Sequence, residues 1–168
     1  MKAVVLKAYG GTDQLSYQDV SDPVPVKDEV VVRVRASGLN HCDIDVRRGV
    51  FGVTQPLPHV MGVDAAGEVA AVGPDVTRWK VGDRVSPHFV LACGHCVNCR
   101  EGRENICLNV QILGVDVWGG YAEKLKVRET QLIALPESLS FVDAAASMVP
   151  FATAWEALVA TAKIRVGE

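Results

Sequence analysis

The sequence predicts a mainly β domain that carries a cysteine-rich loop. Valines alternate with arginines over residues 29–36, a pattern of period two that is typical of a half-buried strand. Turns containing glycine or proline, at 73–75 and 81–83, separate this segment from others of similar apolar character. Four of the five cysteines lie together between positions 93 and 107, which indicates a loop with a specialised role.

Strands are predicted in order at residues 1–6, 29–36, 63–72, 82–85, 121–127 and 131–135. A short helix over 40–48 is expected to end at Gly49, because glycine favours the left-handed conformation that closes helices. Ser140 begins a capping box and an alanine-rich helix. Pro150 is expected to break that helix, and a second helix is predicted over 152–163.

Composition places the chain among ordinary soluble proteins. Of its 168 residues 49% are hydrophobic and 22% are charged, and the net charge is −3 with both signs dispersed. No clustered basic face indicates nucleic-acid binding. No apolar run reaches the roughly 18 residues of a membrane span. The N-terminal segment lacks the character of a signal peptide, so a cytoplasmic location is predicted.

The cysteines form a C-x2-C-x2-C-x7-C motif made of Cys93, Cys96, Cys99 and Cys107. Zinc prefers four soft ligands in a tetrahedron, and pairs of thiolates two residues apart can fold around one ion. Four thiolates leave no open coordination position. The motif therefore predicts one structural zinc ion that cannot polarise a substrate.

Other interpretations of the cysteine motif stay open at this stage. Two disulfides or free thiols would use the same residues, although clustered cysteines in a chain without an export signal favour a metal. An iron–sulfur cluster is also compatible with four thiolates. His95 lies inside the motif and is interpreted as a bystander, because the cysteines already complete the shell.

The motif and its surroundings resemble the medium-chain dehydrogenase/reductase superfamily, which includes zinc-containing alcohol dehydrogenases and quinone oxidoreductases. The resemblance rests on the Gly82–Val85 turn, the cysteine loop, the Gly119–Glu123 segment and Leu135-Pro136. It implies a catalytic domain with a GroES-like fold, a distorted β-barrel. It also implies a following Rossmann domain that binds NAD(H) or NADP(H).

The resemblance also predicts a division of the chain. Residues 1–139 are expected to form the GroES-like domain with a zinc lobe at about 88–112, and 140–168 to form linking helices. No G-x-G-x-x-G occurs, so the dinucleotide-binding domain is expected to be absent. Residues 166–168 resemble the lead-in to its first strand. The full-length protein is expected to be a homodimer or homotetramer.

The positions that hold a catalytic zinc in alcohol dehydrogenases of the superfamily are altered here. Alignment places Asn40 at the cysteine position, Val63 at the histidine position and Asp64 at the glutamate position. Asparagine is a poor zinc ligand and valine offers none. The sequence therefore predicts no catalytic zinc, as in the quinone oxidoreductase branch. A rearranged site using His41, Cys42, His59 or Asp64 is the alternative.

Five residues are candidates for the chemistry. The resemblance places Asn40 near the nicotinamide, where its amide could donate to substrate or cofactor; asparagine is also a favoured helix N-cap. His41 could relay a proton or simply contact the cofactor. Asp43 is expected to support the site, and Asp64, in an apolar strand, must be paired or protonated. Thr153 matches a threonine that packs near the nicotinamide, or it is an ordinary helical residue.

Two functional hypotheses follow. The first is an enzyme: the catalytic half of an oxidoreductase that moves hydride to or from a small alcohol, carbonyl or enone, without nucleic-acid or membrane partners. On this hypothesis the fragment alone is inactive. The second is a zinc-stabilised β binding module without catalysis.

Overall fold

The computed structural model describes residues 1–50, 55–165 and 167. Its strands are β1 Lys2–Leu6, β2 Leu15–Asp19, β3 Glu29–Gly38, β4 His59–Val60, β5 Asp64–Val72, β6 Arg84–Pro87, β7 Val90–Leu91, β8 Gln111–Ile112, β9 Lys124–Arg128 and β10 Leu132–Ala134. Its α-helices are α1 His41–Arg48, α2 Val97–Arg100 and α3 Phe141–Trp155. Short 3₁₀ helices occupy Thr12–Gln14, Glu104–Ile106 and Glu129–Gln131, and a π-helix Glu156–Thr161 follows α3.

The strands form a curled five-stranded antiparallel sheet and two smaller sheets. The large sheet has the order β10-β6-β5-β3-β9, and a three-stranded sheet has the order β2-β1-β4. A bridge between Ala3 and Ala122 joins the two. β7 and β8 pair separately at the base of the cysteine loop. This arrangement confirms the mainly β class predicted from the sequence.

The main hydrophobic core lies on the inner face of the large sheet. Val30, Val32, Val69 and Val85 are at most 2% exposed, and they pack with apolar side chains from β9, β10 and the cysteine loop. The register of β3 against β5 shifts twice, between Val31 and Val32 and between Val34 and Ala36. Such irregularities bend a strand and help a sheet to curl.

Helix α1 follows β3 directly and begins at the end of the sheet. Asn40 occupies the N-cap position, and its backbone N–H donates to Asp43 Oδ2 over 2.8 Å. Gly49 ends the helix with φ 70° and ψ 30°, the left-handed conformation predicted for it. The N-terminus of α1 is thereby fixed beside the start of β5.

Helix α3 differs from the prediction at its centre. Ser140 caps it as expected, accepting from the Asp143 N–H over 3.1 Å. The helix nevertheless continues through Pro150 to Trp155, so the predicted break is wrong. Its N-terminal half is held by buried Ala144 and Ala145, which pack on the large sheet. The predicted second helix over 152–163 is instead the end of α3 and the π-helix.

Three further predictions concern the strand at 121–127, the C-terminal segment at 166–168 and the absence of a membrane span. The predicted strand at 121–127 begins at Lys124, with only the isolated bridge of Ala122 before it. Of the lead-in expected at 166–168, Val166 and Glu168 lie outside the described residues. No helix in the described part of the chain combines the length and apolar character needed to cross a bilayer.

Candidate metal centre and active site

Four cysteine thiols converge in the lobe that β7 and β8 carry. Cys93 follows β7, Cys96 caps α2, Cys99 lies within α2, and Cys107 follows a 3₁₀ helix. Their sulfur atoms all lie within 4.8 Å of one another. Individual Sγ–Sγ distances are 3.9 Å from Cys93 to Cys99 and 3.5 Å from Cys96 to Cys99. A tetrahedron with zinc–sulfur bonds of about 2.3 Å requires sulfurs about 3.8 Å apart.

Backbone amides surround these sulfurs as they would surround thiolates. The N–H of Cys93 donates to Cys107 Sγ over 3.3 Å, and the N–H groups of Cys96 and Asn109 lie 3.4 Å from Cys93 Sγ and Cys107 Sγ. The cysteines form no disulfide. His95 contacts the Cys93 carbonyl with Nδ1 at 2.8 Å and is exposed. The cluster therefore fits a structural zinc, as the motif predicted, and does not use His95.

A second polar cluster lies where β3, α1, β5 and α3 meet. Asn40 Nδ2 donates to Asp64 Oδ2 over 2.8 Å, so the Asn40 side chain is tied to the start of β5. Asp64 Oδ1 accepts from the backbone N–H of Val149 in α3 over 3.1 Å. Asp64 is 1% exposed. One carboxylate thus links the amide of Asn40 to the helix that packs across the sheet.

Asp43 forms the other half of this cluster. Its Oδ2 accepts from the Asn40 N–H over 2.8 Å and from the Tyr121 hydroxyl over 2.9 Å. Asp43 is 3% exposed, and its Oδ1 has no hydrogen-bond partner in the part of the chain that the structure describes. Burial raises the pKa of Asp43, while the Asn40 N–H and the Tyr121 hydroxyl oppose that rise. Burial also raises the pKa of Asp64, and the charge of Asp43 adds to the effect.

The other candidate side chains are placed outside this hydrogen-bonded network. The His41 side chain is 83% exposed, and its Nε2 lies 3.8 Å from Asp45 Oδ1. Burial raises the pKa of the Cys42 thiol to about 11, with Asp43 and Asp64 adding to the shift, so this thiol stays neutral. Thr153 is exposed on the C-terminal half of α3 and makes none of the hydrogen bonds that join Asn40, Asp43 and Asp64.

His59 and His88 are held by backbone groups away from the cluster. His59 Nε2 lies 3.1 Å from the Gly114 carbonyl, and burial lowers the pKa of His59, so the ring is neutral. His88 Nδ1 lies 3.1 Å from the Val90 N–H, and the ring stacks on Phe89.

Two partners in the cluster are not predicted by the sequence. Tyr121 belongs to the Gly119–Glu123 motif, but that motif indicates the family and gives the tyrosine no role in the site. The other partner is the backbone amide of Val149, which no residue pattern marks.

Comparison with known proteins identifies the family. Residues 26–137 match the family of the alcohol dehydrogenase GroES-like domain. The chain belongs to this family. Because that family consists of catalytic domains of alcohol dehydrogenase-type oxidoreductases, this result favours the enzyme hypothesis over the binding-module alternative.

Individual members of the family agree. An alcohol dehydrogenase of Geobacillus stearothermophilus is 37% identical over 162 residues, which cover 96% of this chain and 48% of that protein. A solved NAD-dependent alcohol dehydrogenase superimposes with a TM-score of 0.96 at 43% identity, over 100% of this chain and 49% of that structure. A quinone oxidoreductase of Pseudomonas syringae pv. Tomato DC3000 gives a TM-score of 0.76 at 32% identity, over 99% and 43%. The chain therefore spans about half the length of these relatives.

The catalytic zinc implied by the alcohol dehydrogenase branch does not fit the residues at this site. Val63 is apolar and 1% exposed, and the Asn40 amide, whose nitrogen donates to Asp64, is a poor zinc ligand. His41 and His59 contact other groups, Asp45 and the Gly114 carbonyl. Among the described residues, the cysteine lobe is the only group of three or more histidine, cysteine or acidic side chains that is arranged to hold a metal.

Proposed function

We propose that this chain is the catalytic domain of an NAD(P)-dependent oxidoreductase that moves hydride between a small alcohol and its carbonyl, or to an activated alkene. The zinc of the lobe is structural, and the reaction uses no catalytic zinc. The observation that carries this proposal is the contact between Asn40 and Asp64. At positions aligned with the catalytic zinc ligands of the zinc-dependent branch, this chain has an amide that is hydrogen-bonded to a buried carboxylate.

Asn40 is the group that recognises the reacting oxygen. A primary amide carries two hydrogens on its nitrogen, and Asp64 accepts one of them. The second is available to an oxygen atom of the substrate. A hydrogen bond to a carbonyl that gains negative charge stabilises the transition state by about 3–4 kcal/mol per donor in comparable sites. Because Asp64 fixes the amide, little reorganisation is needed when that charge develops.

The cofactor supplies or accepts the hydride when it is bound. Leu39, next to Asn40 in the chain, is 75% exposed, and Phe151 on α3 is 72% exposed; both are proposed to contact the cofactor. Thr153 lies one helical turn from Val149, whose N–H contacts Asp64, and it is proposed as a further cofactor contact. His41, which is exposed at the N-terminus of α1, is proposed to contact the cofactor or relay a proton.

The proposal extends to the organisation of the whole protein. Residues 1–139 form the GroES-like domain, and 140–168 connect it to a dinucleotide-binding domain that the relatives' greater length accommodates. We expect a cytoplasmic homodimer or homotetramer that acts on a small molecule and binds neither nucleic acid nor membranes.

The test is made on the complete protein that contains this domain. Asn40→Ala should lower kcat by about 100-fold, because it removes a hydrogen-bond donor that acts in the transition state. Asn40→Asp should be as harmful, since it places an anion where negative charge develops. Asn105→Ala, at an exposed asparagine of the lobe, is the matched control and should leave kcat unchanged.

Metal removal separates this proposal from its main competitor. Turnover should survive chelators that remove loosely bound metal, and the protein should retain about one zinc per chain. If chelation abolishes turnover and zinc restores it, the proposal that Asn40 is the donor is wrong. A rearranged zinc site using His41, Cys42, His59 or Asp64 then explains the activity.

A further inference from the structure

Tyr121 is positioned by two backbone hydrogen bonds and by the close packing of its ring. Its N–H donates to the Met61 carbonyl over 2.9 Å, and its own carbonyl accepts from the Val4 N–H over 2.8 Å. Its ring packs against Gly62, where an added Cβ would lie 2.7 Å from the ring carbon Cδ1. Gly62 also has φ 105°, a conformation that glycine adopts readily. The ring therefore has little freedom to move away from the cluster.

The hydroxyl of Tyr121 reaches the centre of the active-site cluster. It lies 2.9 Å from Asp43 Oδ2 and 3.3 Å from the Gly38 carbonyl. A hydroxyl has one proton to donate, and the nearer, acidic oxygen of Asp43 is the stronger acceptor. The same Oδ2 accepts the Asn40 N–H over 2.8 Å. Tyr121 and Asn40 are thus joined through a single oxygen atom.

Asp43 depends on these donors because it has few others. It is 3% exposed, its Oδ1 has no hydrogen-bond partner, and no ion pair to it occurs among the described residues. Its titratable neighbours are Cys42 on α1, Asp64 on β5 and Tyr121 itself, and none of them is a cation. A buried carboxylate without a cation is maintained only by hydrogen bonds. The backbone N–H groups of Val63 and Gly62 also lower the pKa of Asp43, but less than the Asn40 N–H and the Tyr121 hydroxyl do. Removing the Tyr121 hydroxyl therefore takes away one of its two strongest donors.

We propose that Tyr121 is a positioning residue for the Asn40 site: its hydroxyl holds the Asp43 carboxylate, which in turn fixes the backbone of Asn40 at the N-terminus of α1. The consequence for catalysis rests on the proposed role of Asn40. Tyr121 contacts neither substrate nor cofactor in this scheme. It acts by keeping the amide donor in one orientation.

The test compares Tyr121→Phe with Tyr9→Phe. Tyr9 is a matched control because it packs against Gly49 at the opposite end of α1, and its hydroxyl donates to the Gln55 carbonyl rather than to an acid. Carbon-detected NMR of this chain follows the titration of the Asp43 carboxyl. Tyr121→Phe should move its midpoint to higher pH and shift the Asn40 backbone amide resonance. Tyr9→Phe should change neither.

Kinetics on the complete protein provide the second measurement. Tyr121→Phe should lower kcat by about tenfold with little change in KM, while Tyr9→Phe leaves both unchanged. An unaltered Asp43 titration and Asn40 resonance in Tyr121→Phe would overturn the positioning role. If those signals change but Asn40→Ala keeps full turnover, the positioning role stands and the proposed function is the part that fails.

Discussion

The cluster around Asn40 places two carboxylates in the interior, with no ion pair to either among the described residues. Asp43 and Asp64 are 3% and 1% exposed, and neither forms an ion pair with a described residue. Charged groups in such surroundings are costly unless hydrogen bonds replace their hydration. The bonds from Asn40, Tyr121 and the Val149 N–H do this only in part. A carboxyl group in this position should make stability depend on pH.

The pH dependence follows from the raised pKa of Asp64. Burial raises this pKa above that of the unfolded chain, so the folded state holds the proton more tightly. The stability that Asp64 contributes is therefore complete below the unfolded pKa, about 3.9. It is lost as the pH rises through the higher folded value. Asp64→Asn removes this titration. As the pH rises above about 4, the free energy of unfolding of the variant should therefore fall less than that of the unaltered chain.

Urea unfolding at a series of pH values measures this difference. Asp75→Asn, at an exposed turn, is the control and should run parallel to the unaltered chain. Only the slope of the free energy of unfolding against pH is diagnostic, because Asp64→Asn also alters the hydrogen bonds to Asn40 and Val149 at every pH. Parallel curves for Asp64→Asn would show that Asp64 titrates alike in the folded and unfolded chains.

The sequence predicts some residues of the cluster around Asn40 and not others. Asn40, Val63 and Asp64 occupy recognisable motif positions, so the amino-acid sequence alone predicts their departure from a zinc site. Tyr121 and Val149 cannot be predicted as partners, because they lie 78 residues from Asp43 and 85 residues from Asp64 along the chain. Contacts at that separation are set by the fold and leave no local pattern.

At the scale of the elements, α3 shows how tertiary contacts override a local signal. Proline removes a helical hydrogen bond and crowds the preceding turn, so the sequence predicts a break at Pro150. The helix continues because buried Ala144 and Ala145 anchor it to the sheet, and the Val149 N–H is held by Asp64. Pro150 itself is exposed and has room on the solvent side.

Replacing this proline distinguishes a continuous helix from a broken one. Pro150→Ala should stabilise the chain by about 1–3 kcal/mol, because it restores an N–H donor within the helix and removes the steric clash. Thermal and urea unfolding, followed by far-ultraviolet circular dichroism, measure the change. Pro74→Ala, in an exposed turn, is the control and should destabilise slightly through greater freedom of the unfolded chain. A neutral or destabilising effect of Pro150→Ala would favour a break at this residue.

The sequence analysis misses the five-residue strand β2 and several shorter elements. β4, β7 and β8 have two residues each, which is too few to show a period of two. The long strands β3 and β5 agree with prediction to within two residues, because their runs of valine and alanine are unambiguous. Helix α1 agrees to within one residue because Gly49 marks its end.

At the scale of the whole molecule, the zinc lobe and the cluster around Asn40 are separate structural units. The four cysteine sulfurs lie close to one another and accept hydrogen bonds from amides of their own loop. The cluster around Asn40 is held by β3, β5, α1 and α3. Loss of the metal should therefore unfold the lobe without disturbing the cluster, since metal binding is coupled to folding where the ligands lie.

Cys107→Ser tests this independence. The variant should lose most of its zinc, which should be about one ion per chain in the unaltered protein, and limited proteolysis should then cut between residues 93 and 109. Cys42→Ser is the control and should keep the zinc, because Cys42 lies outside the lobe. The NMR signals of Asn40 and Asp64 should be unchanged in Cys107→Ser. A lobe that resists proteases without zinc would show that the metal does not hold it together.

The pairing of β7 with β8 makes the lobe an interchangeable module. Val90 faces Ile112 and Leu91 faces Gln111, so the chain leaves the barrel and returns to it at adjacent points. An excursion whose two ends are already neighbours imposes no closure strain on the rest of the structure. Evolution can excise such a segment or graft it in one event, with a short hairpin left in its place. The lobe can therefore be lost or exchanged while the strands of the large sheet keep their pairing.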